Sequence, residues 1–146
     1  IFGLSLRHTK GHIVRAMMES VAYALYHSFE TLSPHIRHIN SPLVLNEGGA
    51  KSVLWRRIIT DVFNHPTVLV KNRAGAPYGD CLLAAKGAGL IKDYAIARER
   101  AEYIDPMEPD PRTHELYMEY FALYKQLYVQ LKDQFKTLSA LTRKYE

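Results

Sequence analysis

From Lys10 to about Leu32 the apolar positions return at helical spacing. Ile13, Met17, Val21 and Ala24 form one row, and Val14, Met18, Leu25 and Phe29 form the row beside it. Two adjacent rows predict a long helix with a wide buried face. Proline disfavours helical geometry in the residue before it and has no backbone donor, so the helix is predicted to stop before Pro34. The run Leu43, Val44 and Leu45, bounded by Pro42 and by Gly48 and Gly49, is too short for a helix and reads as a buried strand.

After the glycines, Leu54, Ile58 and Val62 lie on one helical row and Trp55, Ile59 and Phe63 on the next. Arg56, Arg57, Thr60 and Asp61 fill the expected polar side of this second helix, which ends near Asn64. Pro66 introduces the β-branched run Thr67 to Val70, a second strand. Gly75, Ala76, Pro77, Tyr78 and Gly79 read as a turn. Asp80 to Ala88 reads as a short helix, with Gly87 and Gly89 as its stop signals. Three prolines interrupt the pattern between Asp105 and Pro111. A final long helix then starts with Asp110 as N-cap and proline at the first helical position. Its expected apolar row is Leu116, Tyr120, Leu123, Leu127 and Leu131, widened by Tyr117, Phe121, Tyr124 and Tyr128.

Strands alternating with helices, flanked by long helices, predict an α/β layer in which helices cover a small sheet. Two strands make a poor sheet, so its neighbours are expected either at Ile1 to Leu6 or upstream of the chain. The chain opens on Ile1, Phe2, Gly3 and Leu4, without Met and inside an apolar segment, as though excised from a longer protein. A chain of 146 residues with 47% apolar and 23% charged composition folds as one domain or a large piece of one. No apolar run reaches membrane-spanning length and no charged leader opens the chain, which points to the cytoplasm and away from a membrane. The net charge of +4 is scattered without a basic stripe, which argues against nucleic acid as a partner.

The stretch Asn46 to Trp55, NEGGAKSVLW, carries the most chemistry. Glycine lacks Cβ, so a ligand can approach the main chain closely, and free N–H groups at a helix start favour phosphate oxygens. The same residues equally describe a plain tight turn with Ser52 near the helix cap, and neither P-loop nor GxGxxG spacing is met. Lys51 at this point reads as solvated. His8 and His12 stand four apart, but Thr9 takes the place of the glutamate of a zinc HExxH motif, so capping or surface histidines are expected, as for His35 and His38. Cys81 in its apolar run reads as a small packed residue. Asp61 is expected on a helix flank and Asp80 at a helix start, neither of them a recognisable base. No catalytic residue and no metal ligand is assigned.

Three segments in order resemble the C-terminal domain of the FGGY carbohydrate kinases, its xylulokinase-like members above all. Ile1 to Ser20 is similar to that family's second signature, with Gly3 and Leu4, then His12 and Ile13, then Ala16, Met17, Met18 and Glu19. Gly48 to Pro66 resembles its adenosine-binding loop and following helix. Gly75 to Asp93 is similar to the small-residue segment that packs beside that loop, with Asp80 where a small residue is usual. Together with the downstream proline- and tyrosine-rich helix, the likeness covers nearly the whole of residues 1–146.

The resemblance implies part of an actin-like, ribonuclease-H-like ATPase fold. ATP would lie between two domains and a ketose or polyol, D-xylulose first, deeper in the cleft. It carries over Gly48, Gly49, Ala50 and Ser52 as nucleotide-contacting, Gly49 foremost. Val53 stands where some relatives have Asn. The catalytic carboxylate and the Mg²⁺ ligands are implied upstream, in an N-terminal domain outside this chain, so the chain alone is expected to be inactive. A homodimer is compatible with this. The alternatives are a non-catalytic interaction module that dimerises through its long helices, and another nucleotide-binding α/β enzyme.

Overall fold

The computed structural model describes residues 2–46, 48–71 and 75–145. Helix α1 spans Lys10–Leu32, the length its apolar rows set. At its start His12 does the work of a capping-box acid, since its Nδ1 accepts the Thr9 backbone N–H at 3.1 Å. One 3₁₀ turn, Ser33–His35, carries Pro34 beyond the end of the helix. Strand β1 is Leu43–Leu45, a 3₁₀ turn covers Gly48–Lys51, and helix α2 spans Val53–Phe63. Helix α2 stops on Asn64, whose φ of 49° is the left-handed conformation asparagine tolerates. Strand β2, Thr67–Val70, then pairs parallel to β1 with Leu43 opposite Thr67 and Leu45 opposite Leu69. A strand, a crossover helix and a parallel strand is the connection that such a pair requires.

Downstream of β2 the chain departs from the expected pattern. Helix α3 spans Gly75–Gly87, so Gly75 to Gly79 form its first turns and not a loop. Pro77 sits where a helix has no intrahelical partner for the backbone N–H, which is why a helix start and a turn share one composition. The helix ends as its glycines require. Gly89, at φ 73°, lets Leu90 N–H reach the Ala85 carbonyl at 2.9 Å and its own N–H reach that of Lys86 at 3.1 Å. A short helix α4, Ala95–Glu99, precedes strand β3, Tyr103–Met107, which pairs antiparallel to β2. The sheet order is β1-β2-β3. Residues 2–6 form no strand, and Ile1 lies outside the described residues. The third strand hides in the proline-rich stretch, with Pro106 on the outer strand of the sheet, where a missing donor is tolerated. Helix α5 spans Pro111–Tyr145. Asp110 caps it, accepting the Arg112 N–H at 3.0 Å and the Thr113 hydroxyl at 2.8 Å. The Thr113 bond first, then the Arg112 N–H, hold this exposed carboxylate below its ordinary range.

The core lies where α1, α2 and the first turns of α5 meet, built from Ala22, Tyr23, Ile58, Ile59, Val62, Tyr117 and Phe121. Fully burying Ile58 or Val62 is worth about 1.5–3 kcal/mol each. The faces of the three helices differ from the expected ones. In α1 the buried side carries Ala22 and Tyr23, with Met18 and Tyr26 packed against the core, while Val14, Met17, Val21 and Leu25 are exposed. In α5 the aromatic row is buried at Tyr117 and Phe121, while Leu116, Tyr120 and Leu123 are exposed. Aromatic rings bury the most area per residue and pack edge to face, so the faces that carry them meet. The Tyr26 and Phe121 ring centroids stand 5.1 Å apart at 74°. In α2 the expected polar side is interior as well, with Arg56, Thr60 and Asp61 all buried. Cys81 is exposed, and α3 contributes no buried residue.

Candidate functional site

The turn Gly48–Lys51 lies just past the carboxyl end of β1 and delivers the chain into α2. Ser52 is the cap: its Oγ accepts the Trp55 backbone N–H at 3.3 Å, and its own N–H donates to the Gly49 carbonyl at 3.1 Å. The two glycines serve different ends. A Cβ on Gly49 would sit 1.4 Å from Cζ3 of Trp55, so the indole occupies the space that the missing side chain leaves. A Cβ on Gly48 would meet nothing within 4 Å, and Gly48 is exposed. Ala50 is buried beneath the turn. Gly48, Gly49, Ala50 and Ser52 thus lie side by side, and of the two glycines only Gly48 has open space where a side chain would stand.

The N–H groups of Val53 and Leu54, in the first turn of α2, have no partner within the helix. Both residues are exposed. With Lys51 beside them they make an electropositive rim next to Gly48. Anionic oxygens fit such a rim. Among the described residues no three of His, Cys, Asp and Glu converge on one point. The imidazoles of His8 and His12 are engaged locally. Their Nδ1 atoms accept the Ser5 and Thr9 N–H groups at 3.0 and 3.1 Å.

A network that the pattern of the sequence did not reveal holds the turn's helix in place. The buried Asp61 accepts the Asp110 N–H at 3.0 Å and pairs with Arg57 at 3.4 Å, while His114 Nδ1 lies 3.0 Å from its backbone carbonyl oxygen. Thr60 and Thr67 share a hydrogen bond of 2.7 Å between α2 and β2. The guanidinium of Arg56 reaches Asp105, the one other described non-glycine residue with positive φ. These groups tie α2 to β2, β3 and the start of α5. A polar side spaced like any solvated face gives no sign of this in sequence.

A cavity of about 690 Å³ lies under α3 and α4 against the sheet, lined by Val44, Asn46, Val70, Tyr78, Arg98 and Tyr103 among others. None of Gly48 to Ser52 lines it. Asn46 joins the two places, since it lines the cavity just before the turn.

Residues 1–88 match the C-terminal domain of a family of carbohydrate kinases named FGGY. The chain belongs to the FGGY family. Over 141 residues it is 33% identical to the xylulose kinase of Staphylococcus epidermidis, covering 96% of this chain and 28% of that protein. A gluconokinase of Bacillus licheniformis is 24% identical over 97% of the chain and 28% of its own length. Among solved structures the xylulose kinase of Rhodospirillum rubrum superposes with a TM-score of 0.76 at 32% identity, over 92% of this chain and 27% of that one. The FGGY chain therefore carries part of the actin-like ATPase fold. It spans less than a third of the length of these relatives.

Proposed function

We propose that this chain is the nucleotide-side, C-terminal part of a longer ATP-dependent sugar kinase. Such an enzyme transfers the γ-phosphoryl group of ATP to a hydroxyl of a ketose or polyol, D-xylulose first. Family membership and the xylulose kinase relatives support the class of reaction. The single observation on this molecule that carries the reading is the open main chain at Gly48, set against the capped start of α2. Phosphoryl transfer is mostly positioning and neutralisation of charge, with a carboxylate accepting the hydroxyl proton. In this reading residues 48–54 position the nucleotide. The proton acceptor and the Mg²⁺ ligands belong to the companion N-terminal domain, and the enzyme works in the cytoplasm.

Release of ADP by the longer parent, followed with xylulose, ribulose, glycerol, gluconate and erythritol, tests the proposal. Saturable ADP formation that requires a sugar, strongest with xylulose, is expected. A parent that releases no sugar-dependent ADP with any of the five would overturn the kinase reading. A preference for gluconate would keep the class and replace the substrate.

A further inference from the structure

Gly49, Ser52 and Trp55 stand three residues apart, and each holds the next. The Ser52 N–H donates to the Gly49 carbonyl at 3.1 Å, and the Trp55 N–H donates to Ser52 Oγ at 3.3 Å. The indole closes the circle, since its Cζ3, Cε3 and Cη2 fill the place where a side chain on Gly49 would stand. Trp55 also packs against the core that Ile58, Ile59 and Val62 share with α1 and α5. The turn Gly48–Lys51 is thus fastened to a helix whose own place is fixed by the buried Asp61 and Thr60.

Adjacent glycines give a chain its widest backbone freedom, so without the indole Gly48 and Gly49 would sample many conformations. Trp55 Nε1 is buried and has no hydrogen-bond partner among the described residues. A buried donor left unanswered lowers stability, and leucine or phenylalanine would fill this part of the core without that penalty. Packing alone therefore does not ask for an indole. The reach of its fused ring, which extends to Gly49, does.

We propose that Trp55 is a positioning residue for the nucleotide, a role that rests on the kinase reading. It touches no phosphate. It holds the Gly48–Lys51 turn in the one conformation that the nucleotide meets, so the chain is ordered before binding and not by it. Fixing the backbone of a single residue is worth roughly five- to thirtyfold in an equilibrium constant. Freeing the turn moves that cost to the binding step.

Two measurements on the longer parent test this: amide hydrogen exchange without nucleotide, and ATP affinity by calorimetry beside steady-state kinetics. In Trp55→Leu the Ser52 amide is expected to exchange at least tenfold faster, while Val68 and Leu69 in β2 exchange as in the wild type. ATP is expected to bind this variant about tenfold more weakly and KM for ATP to rise as much, with kcat and the KM for xylulose unchanged. Trp55→Phe should show both effects to a smaller degree, and it carries the same comparisons should the leucine variant not fold. Val62→Ala, which opens a cavity at the far end of α2, is expected to lose stability yet keep wild-type Ser52 exchange and ATP affinity. Unchanged Ser52 exchange on loss of the indole overturns the proposal, since the turn then holds without it. So does faster exchange with unchanged ATP affinity, and so does a loss of affinity that Val62→Ala matches. A wild type that binds no ATP overturns the kinase reading and this inference together, whereas the other failures leave wild-type ATP binding in place.

Discussion

Gly48 and Gly49 stand side by side and answer to different forces. Trp55 fills the space over Gly49, so Gly49→Ala is a packing variant. It is expected to lower stability by about 1–3 kcal/mol, in the range of forced overpacking. Adding Trp55→Leu to it should return part of that loss in urea melts, and a loss that the second change does not touch would place the clash elsewhere. Gly48 faces open space, and the fold should not notice a side chain there. Asp61 has the reverse character: its carboxylate is buried and answers both a guanidinium and the backbone N–H that begins α5. Asp61→Ala strands that N–H and is expected to cost about 2–3 kcal/mol. A denaturant midpoint equal to that of the wild type would show that water serves the N–H as well.

At the scale of elements, α1 and α5 are held by phenol rings whose protonation matters. Burial first, then the charge of Glu19, push the Tyr23 phenol above its ordinary range, and burial does the same at Tyr117. A raised folded value means that the unfolded chain ionises first, so this contribution is whole below pH about 10 and is lost as pH rises beyond it. Tyr23→Phe should flatten the alkaline fall in melting temperature, and an equally steep fall would assign it to other groups. The helices α1, α2 and α5 and the strands β1 and β2 were legible because Pro34, Pro66, Asn64 and Asp110 punctuate strong apolar periods. Which face each helix buries was not, because Val14, Met17 and Val21 share a period with Ala22 and Tyr23, and only packing chooses between neighbouring rows. Strand β3 was hidden by Pro106, whose cost an outer strand avoids. The start of α3 was hidden by Gly75 and Pro77, which serve a turn and a helix start alike.

For the whole molecule, α1, α2 and α5 pack with the three-stranded sheet as part of an actin-like fold. Outside its core the chain leaves much apolar surface open. In the proposed kinase the chain contributes the ground against which the nucleotide lies, while the acid and metal chemistry belongs to the companion domain. The turn proposed for the nucleotide was legible as a glycine pair at the end of a strand. Which of the two glycines is open was not, because the neighbour that fills the space, Trp55, lies six residues further on and reads as part of the row that α2 buries. The binding of ATP by the longer parent, measured by calorimetry for the wild type and for Gly48→Val, tests this division most directly. ATP should bind the variant at least tenfold more weakly, with melting temperature and xylulose affinity unchanged. Equal ATP affinity in the two proteins would contradict it.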